Sequence, residues 1–531
     1  MKRRENAVRG VVVVTVMALV LGLIAGSGIS APSSDSQAMV ILVRTPTQGG
    51  IDPVIQVGSS AQKFVEPLYE GLVFYDSNAK AYKPSLAESW TISKNGLEYT
   101  FKLRRGAKFH DGSEFNAQAV KVNYERTKAL NLGLAYLLVS YERVEVIDPY
   151  TVKIVLREPT PYFLYTTFKI KMVSPAAIQA HDVRGDLAQE WLKSNEAGTG
   201  PFQLVKWQPE TEIIFKRFPQ YWAGWKGKHL DTISYRRIPE PATQRQLLER
   251  GDADMIIDQV LPQDVPALQR NRDVQVDIWT AALIMFLTMR SDRGVLANRK
   301  LREALTYAFP YEDVYKALGG LAGPAQGPLP RSLPEHDDAL PVYKQDLARA
   351  RRLLAEAGHP NGGLTFTASM VEALAIERIS AELFQTALAQ LNIRLNIQEL
   401  VWPVLVAKFR NENEAGDMSF LVMDSAGPAP DKILIEAFFS GSRGKVFNWG
   451  WYKNELLDKV LTQAAVTVDV RQRTGLYHRA QRIIVGDAPA IFVMEPAQVY
   501  ARRKWVQGFK PDLISPFRLN LEDMYIEGRG R

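Results

Sequence analysis

Among the 531 residues of this chain, one uninterrupted apolar run is long enough to cross a membrane, and it lies at the very start. Lys2-Arg3-Arg4 precedes an uncharged apolar stretch from Val11 to Ala25 that continues weakly to Ile29. Small and polar residues follow: Ser27, Gly28, Ser30, Ala31, Ser33 and Ser34. A basic start, an apolar middle and a small-residue end form the order of a secretory signal. Ser36-Gln37-Ala38 fits cleavage after Ala38, while Pro32 disfavours cleavage after Ala31. The run 11–29 also reaches the ~17–25 residues of a spanning helix, so residues 1–38 read as a signal peptide or an N-terminal anchor. Either way the rest of the chain is expected outside the cytoplasmic membrane, in a periplasmic location. Without a second such run it is not a transporter pore.

An exported body of this size must then be held together by its own core. The chain has no cysteine. That excludes disulfides, zinc ribbons, a thiol nucleophile, iron–sulfur ligation and a lipid-modified N-terminal cysteine. Hydrophobic residues make up 46% and charged residues 23%, which suits a large globular core, and the length favours two or three domains. The formal charge of +7 is dispersed, with no block of five or six like charges, so no nucleic-acid partner is expected.

Local patterns give the elements. Met39–Arg44 reads as a short strand entering a turn at 49–53, and residues 61–70 carry helical spacing through Phe64, Leu68 and Leu72. Tyr99–Leu103 alternates as a half-buried strand, and Val144–Ile147 with Val152–Leu156 predicts a hairpin. The spacing predicts helices over Tyr343–Ala357, stopped by Gly358, and over Ala375–Leu391, with a strand at Ile393–Gln398. A helix is also expected at Glu455–Leu461. Gly319–Pro334 is the longest expected loop. Alternating helices and strands imply α/β or α+β architecture.

Chemistry-bearing motifs do not emerge. There is no G-x-S-x-G elbow, H-E-x-x-H pair, Walker loop or G-x-G-x-x-G fingerprint. The six histidines are scattered without ligand spacing, and Asp252 and Asp254 read as a helix-to-strand loop. No catalytic residue, metal or cofactor is expected.

Other patterns carry a resemblance. Pro84-Ser-Leu-Ala-Glu-Ser-Trp90, Gly96-Leu-Glu-Tyr-Thr-Phe-Lys-Leu-Arg104, Gly106-Ala-Lys-Phe-His-Asp-Gly112 and Phe115–Arg126 follow one another in order. Glu66–Asp76 precedes them, and Gly198-Thr-Gly-Pro-Phe202, Arg299–Ala308 and Ala348–Gly358 follow. The ordered set resembles family 5 of the bacterial extracellular solute-binding proteins, the substrate-binding subunits of dipeptide-, oligopeptide- and nickel-type ABC importers. Trp90 and Phe109 are expected to pack on the strand Tyr99–Leu103.

The resemblance implies an α/β fold of the type II periplasmic-binding-protein kind, three-lobed, with a ligand cleft between two lobes joined by a hinge. It places lobe I at 39–80 with 197–287 and 496–531, the inserted lobe II at 81–196 and lobe III at 288–495. It implies a monomer that captures a peptide or similar small polar solute and hands it to membrane permease subunits.

The same resemblance nominates site residues. Gly200 lies in a segment the family places near the cleft, and Trp402 and Trp449 match positions where family members put aromatics near ligand. Peptide binders in the family carry Gly-Trp-x-x-Asp-Tyr-x-Asp-Pro, whose first Asp meets the ligand's α-ammonium. Here the stretch is Leu421-Val-Met-Asp-Ser-Ala-Gly-Pro-Ala-Pro-Asp431. With Pro430 aligned to the family's proline, Ala426 stands where that Asp is expected, Met423 replaces the Trp, and Asp424 falls two residues early. An ammonium buried without its carboxylate costs on the order of several kcal/mol. Either Asp424 takes over through a shifted loop, or the ligand lacks a free α-amino group. A non-peptide ligand (oligosaccharide, opine or metal chelate) stays open, as does an exported hydrolase.

Overall fold

The structure, a computed structural model, describes residues 37–44, 50–56, 61–258, 260–372, 374–425, 427–445 and 447–529. The leader reading falls outside them. Among the described residues the largest sheet has twelve strands, and it is two half-sheets sharing one strand. That strand, Ala490–Arg503, pairs antiparallel with Leu283–Met289 through residues 490–494 and with Val274–Thr280 through residues 497–503. The two partner strands are consecutive in sequence, separated only by Ala281 and Ala282. Two adjacent strands therefore pass together from one half-sheet to the other.

The first half-sheet contains Ala38–Val43, which runs parallel to Thr232–Arg237 in the register Ala38↔Thr232 and to Met255–Ile256. Its two faces are covered by separate apolar clusters, one around Met39, Ile41, Phe64 and Tyr235, the other around Val40, Leu42 and Leu248. Alternate residues of one strand thus feed opposite cores, as the period of two requires. The other half-sheet has the order Ile393–Leu400, Leu364–Val371, Met418–Asp424, Leu283–Met289 and the shared strand. Leu283–Met289 is buried at every position, because helices cover both faces of a central strand here.

A third unit is an antiparallel four-stranded sheet in the order Ala87–Ile92, Glu98–Leu103, Thr151–Leu156, Tyr141–Asp148. The helix Ala117–Leu130 covers it, capped by Asn116, whose side chain accepts from Ala119 N, and ended by Asn131 in the left-handed region. Phe109 is fully buried in its core, and Trp90 pairs with Phe101 across strands and packs at its edge.

Several expected boundaries shift for local reasons. The helix expected over 61–70 is only Gln62–Val65, because Pro67 follows and cannot continue the hydrogen-bond ladder. The helix expected from Tyr343 begins at Leu347, since Asp346 caps it by accepting from Arg349 N; Tyr343 instead packs on Tyr307. The helix from Ala375 ends at Ala389, and the strand after it extends to Leu400. The helix from Glu455 runs on to Val466. Inside the expected loop 319–334, Ala322–Pro324 forms a short strand on the shared strand.

Candidate functional site at the interlobe cleft

The strand Met418–Asp424 ends at the inner edge of its half-sheet and delivers Asp424, followed by Ser425, whose N–H donates to the Ala282 carbonyl beside the strand crossing. The helix Asp431–Phe438 starts a few residues on. Lys432 and Glu436 stand four residues apart on it, so they share one face. Lys432 Nζ donates to Asp424 Oδ1 at 2.7 Å.

Facing this group is the third unit, through the helix Phe163–Lys169 and the short 3₁₀ segment Gly133–Leu138. The approach is close: a β-carbon on Gly427 would stand 2.2 Å from Tyr165 Cε2. A second contact joins the same two units. Tyr162 donates its hydroxyl to Glu335 Oε1, and the Arg473 guanidinium sits 5.1 Å from the Tyr162 ring centre. Tyr477 backs this contact by donating to Asp431 Oδ1 at 2.5 Å.

Burial dominates the electrostatics. The Glu436 carboxyl is pushed up to about 7 by burial, with Asp424 adding to the effect and Lys432 opposing it. The Lys169 ammonium is pulled down to about 8 by burial, which Glu66 only partly offsets. Asp431 is pushed up to about 6 by burial against the Tyr477 hydrogen bond. Burial would also raise Glu66, but Lys171 at 2.7 Å, Lys169 and Arg518 outweigh it and hold the carboxyl below its ordinary value. Below them, Glu70 accepts from Thr199 Oγ1, Tyr221 Oη and Trp222 Nε1 at 2.8–2.9 Å, yet burial still pushes it up to about 7.

Several polar atoms of this region are buried and find no hydrogen-bond partner among the described residues. They include Tyr165 Oη, Tyr82 Oη, Ser425 Oγ and Glu436 Oε2. Tyr165 is 5% exposed and Ser425 1%. Buried polar groups are ordinarily satisfied, and leaving one unsatisfied costs roughly 1–3 kcal/mol. Tyr165 lies within electrostatic reach of Tyr136, Asp424 and Glu436, so these groups border one space. Tyr136 is 47% exposed and also lines a separate surface cavity of about 350 Å³ with Lys128, Leu132, Leu138 and Arg157.

The nominated residues separate. Trp402, at the start of the helix Trp402–Arg410, is 38% exposed, whereas Trp449 is 1% exposed and flanked by Phe409 and Phe447. The two indoles meet at 5.7 Å, so one stands on the rim and the other beneath it. Gly200 packs against the segment that follows the short helix Gln62–Val65. Its N–H donates to the Leu68 carbonyl at 3.0 Å, its own carbonyl accepts from His110 Nε2 at 2.9 Å, and a β-carbon there would stand 2.4 Å from the Pro67 carbonyl oxygen. The need for glycine at 200 is close backbone approach. Ala426 lies outside the described residues. Among the described residues no group of three or more His, Asp or Glu could hold a metal ion.

Sequence reasoning did not single out Tyr82, Tyr136, Tyr165, Lys169, Lys432 or Glu436. Lys432 and Glu436 show the four-residue spacing of a helix face, but nothing local marks that face as the wall of a cleft.

Residues 81–445 match the family described as bacterial extracellular solute-binding proteins, family 5 Middle. The chain belongs to that family. It is 31% identical over 469 residues to the glutathione-binding protein GsiB of Escherichia coli, covering 86% of this chain and 89% of that protein. Among solved structures, the ABC transporter-associated periplasmic binding protein DppA from Helicobacter pylori, in complex with the peptide STSA, superposes with a TM-score of 0.81 at 24% identity. The match covers 92% of this chain and 98% of that one. NikZ from Campylobacter jejuni, in complex with Ni(L-His), gives 0.80 at 22% identity, covering 92% and 99%. The mixed α/β architecture with its cleft is thus that of the type II periplasmic binding proteins in this family.

Proposed function

We propose that the protein is the substrate-binding subunit of an ABC importer, capturing a peptide or similar small polar solute outside the cytoplasmic membrane and delivering it to permease subunits. The observation that carries this reading is the set of buried polar atoms left without partners among the described residues where Tyr165 and Gly427 meet across the cleft. Such groups fit a site completed by a polar solute. Relatives named for binding glutathione, a peptide and a nickel–histidine complex support the same role. Capture needs no catalytic step, and we read the chain as a monomeric binder rather than an exported hydrolase.

The crossing of the paired strands supports a division into lobes. We assign lobe I to 39–80 with 197–287 and 496–531, lobe II to 81–196 and lobe III to 288–495, and place the hinge at Ala281–Ala282 and at Pro496, where the paired strands cross. Closure about those two crossings would bring Gly427 onto Tyr165 and Glu335 onto Tyr162.

A thermal-shift screen over glutathione, di- and tripeptides, N-acetylated peptides, oligosaccharides, opines and nickel–histidine tests the reading. A solute that binds only the folded state raises the melting point. The expected result is a shift with small peptide-like solutes. No shift with any of them, together with turnover of a peptide or ester library, would sink the binding reading in favour of hydrolysis.

A further inference from the structure

We propose that Glu436 is the carboxylate that receives a cationic group of the transported solute, in place of the aspartate the family places nearer the start of this segment. The inference rests on the solute-binding reading above and specifies the chemistry of that same cleft.

The acidic side chains around the cleft are largely spoken for. Asp424 Oδ1 accepts from Lys432 at 2.7 Å, Glu66 Oε2 from Lys171 at 2.7 Å, Asp431 Oδ1 from Tyr477 at 2.5 Å, and Glu335 Oε1 from Tyr162. Glu335 keeps a second oxygen without a partner among the described residues, but that residue belongs to the contact between the two units. Glu436 differs. Its Oε2 is buried without a partner among the described residues, and the ammonium nearest to it in sequence, that of Lys432, is held by Asp424.

The surroundings fit a cation with several N–H donors. Tyr165 Oη, from the facing helix, and Ser425 Oγ, from the end of the strand, are also buried without partners among the described residues, and each can accept. A primary ammonium carries three donors, and a carboxylate oxygen with two hydroxyls offers an acceptor to each of them. A cation buried without a counter-charge is costly, and Glu436 supplies that charge without dismantling the Asp424–Lys432 pair. The solute class is therefore one bearing a free amino or comparable cationic group, rather than a fully blocked peptide or a neutral sugar.

Recognition of this kind is linked to protons. With the cleft empty of a cation, burial holds the Glu436 carboxyl near 7, Asp424 reinforcing and Lys432 opposing. Of the groups facing it from the opposite unit, Tyr165 is raised by burial, and Tyr136, although 47% exposed as a residue, is raised by burial of its hydroxyl and by Glu436 and Asp424; both stay neutral in this range. A cationic solute binds the ionised form, so its affinity should rise about tenfold per pH unit below about 7 and level off above it. Lys169, pulled down to about 8, loses its charge only at the upper end of that range.

The test is calorimetry on the exported protein and its Glu436→Gln variant with glutathione, free di- and tripeptides and their N-acetylated counterparts, from about pH 5.5 to 8.5. We expect free amino compounds to bind the native protein with proton release and with the rising profile. Glu436→Gln should lose at least about tenfold in affinity for them and flatten the profile below about pH 7, with its melting point retained. An unchanged affinity and profile in Glu436→Gln, or a native preference for the N-acetylated compounds, would overturn the proposal while leaving the solute-binding role standing. Absence of binding by every compound in the thermal-shift screen would instead overturn that role and the proposal with it.

Discussion

Gly427 and Tyr165 meet across the cleft with no room for a side chain between them: a β-carbon at 427 would stand 2.2 Å from Tyr165 Cε2. Tyr165 is 5% exposed and anchored in the core of its own sheet, so its ring cannot swing aside cheaply. Gly427→Ala should therefore leave each unit folded but oppose the close approach of the two units. Overpacking of this kind costs about 1–3 kcal/mol, or roughly 5- to 150-fold in dissociation constant. Calorimetry with a solute identified by thermal shift, paired with small-angle scattering of the loaded protein, checks it; native affinity in the alanine variant would contradict it.

Trp402 and Trp449 stand 5.7 Å apart but should respond differently to truncation. Trp449→Ala opens a large void among Phe409, Phe447 and their neighbours and should cost about 3–5 kcal/mol of stability in urea unfolding. Trp402→Ala, on the rim, should cost about 1 kcal/mol or less in the same assay, with any larger effect falling on solute affinity. Equal losses of stability would show that the rim position is structural too.

Glu377 makes the stability of the lobe around it depend on pH. The carboxyl lies fully buried near the start of the helix Ala375–Ala389, accepts from Val371 N at 2.8 Å and is pushed up to about 8 by burial, from an ordinary value of 4.5. Between those two values the folded state holds a proton that the unfolded chain has released. Stability is therefore greatest below about 4.5, falls progressively as pH rises toward about 8, and levels off above it. A tenfold difference in proton affinity between the two states is worth ~1.4 kcal/mol, so the swing is on the order of several kcal/mol. Melting points of native protein should fall from about pH 5 to 8, and Glu377→Gln should make that fall shallower, the remainder coming from Glu70, Glu436 and Asp431; parallel profiles would refute the assignment.

Asp52 and Arg126 form a two-pronged ion pair at 3.0 and 2.6 Å, with both side chains 1% exposed. It ties the turn after the first strand to the helix Ala117–Leu130. Asp52→Asn would leave a buried guanidinium without its counter-charge and should cost about 3–5 kcal/mol in denaturant unfolding. A loss below about 1 kcal/mol would mean that water reaches the site in the native state.

Much of the scaffold was legible because its signals are local. The alternation Tyr99–Leu103, the hairpin around Asp148–Tyr150 and the stop at Gly358 each depend on neighbours within a few residues, and each appears in place. The helix expected over 61–70 failed where Pro67 outweighed the apolar spacing. The cleft was harder to read. Tyr136 and Tyr165 come from the unit of the four-stranded sheet, while Asp424 and Glu436 come from a strand and a helix far later in the sequence, and only the tertiary fold sets them side by side. Asp424 was visible through the family motif, but its partner Lys432 was not, so its availability to a ligand could not be judged from sequence. Glu436 carried no signal beyond its helical spacing.

The shared strand Ala490–Arg503 also bears on how such proteins can be recombined. Since its first half completes one sheet and its second half the other, neither half-sheet can be excised or exchanged at a loop without leaving its neighbour short of a strand. A chimera that borrows the solute specificity of a relative must either carry this strand along whole or join the two parents within it. Diversification by swapping whole lobes is obstructed by the same connection, which leaves point changes in the cleft wall as the readier route to a new solute.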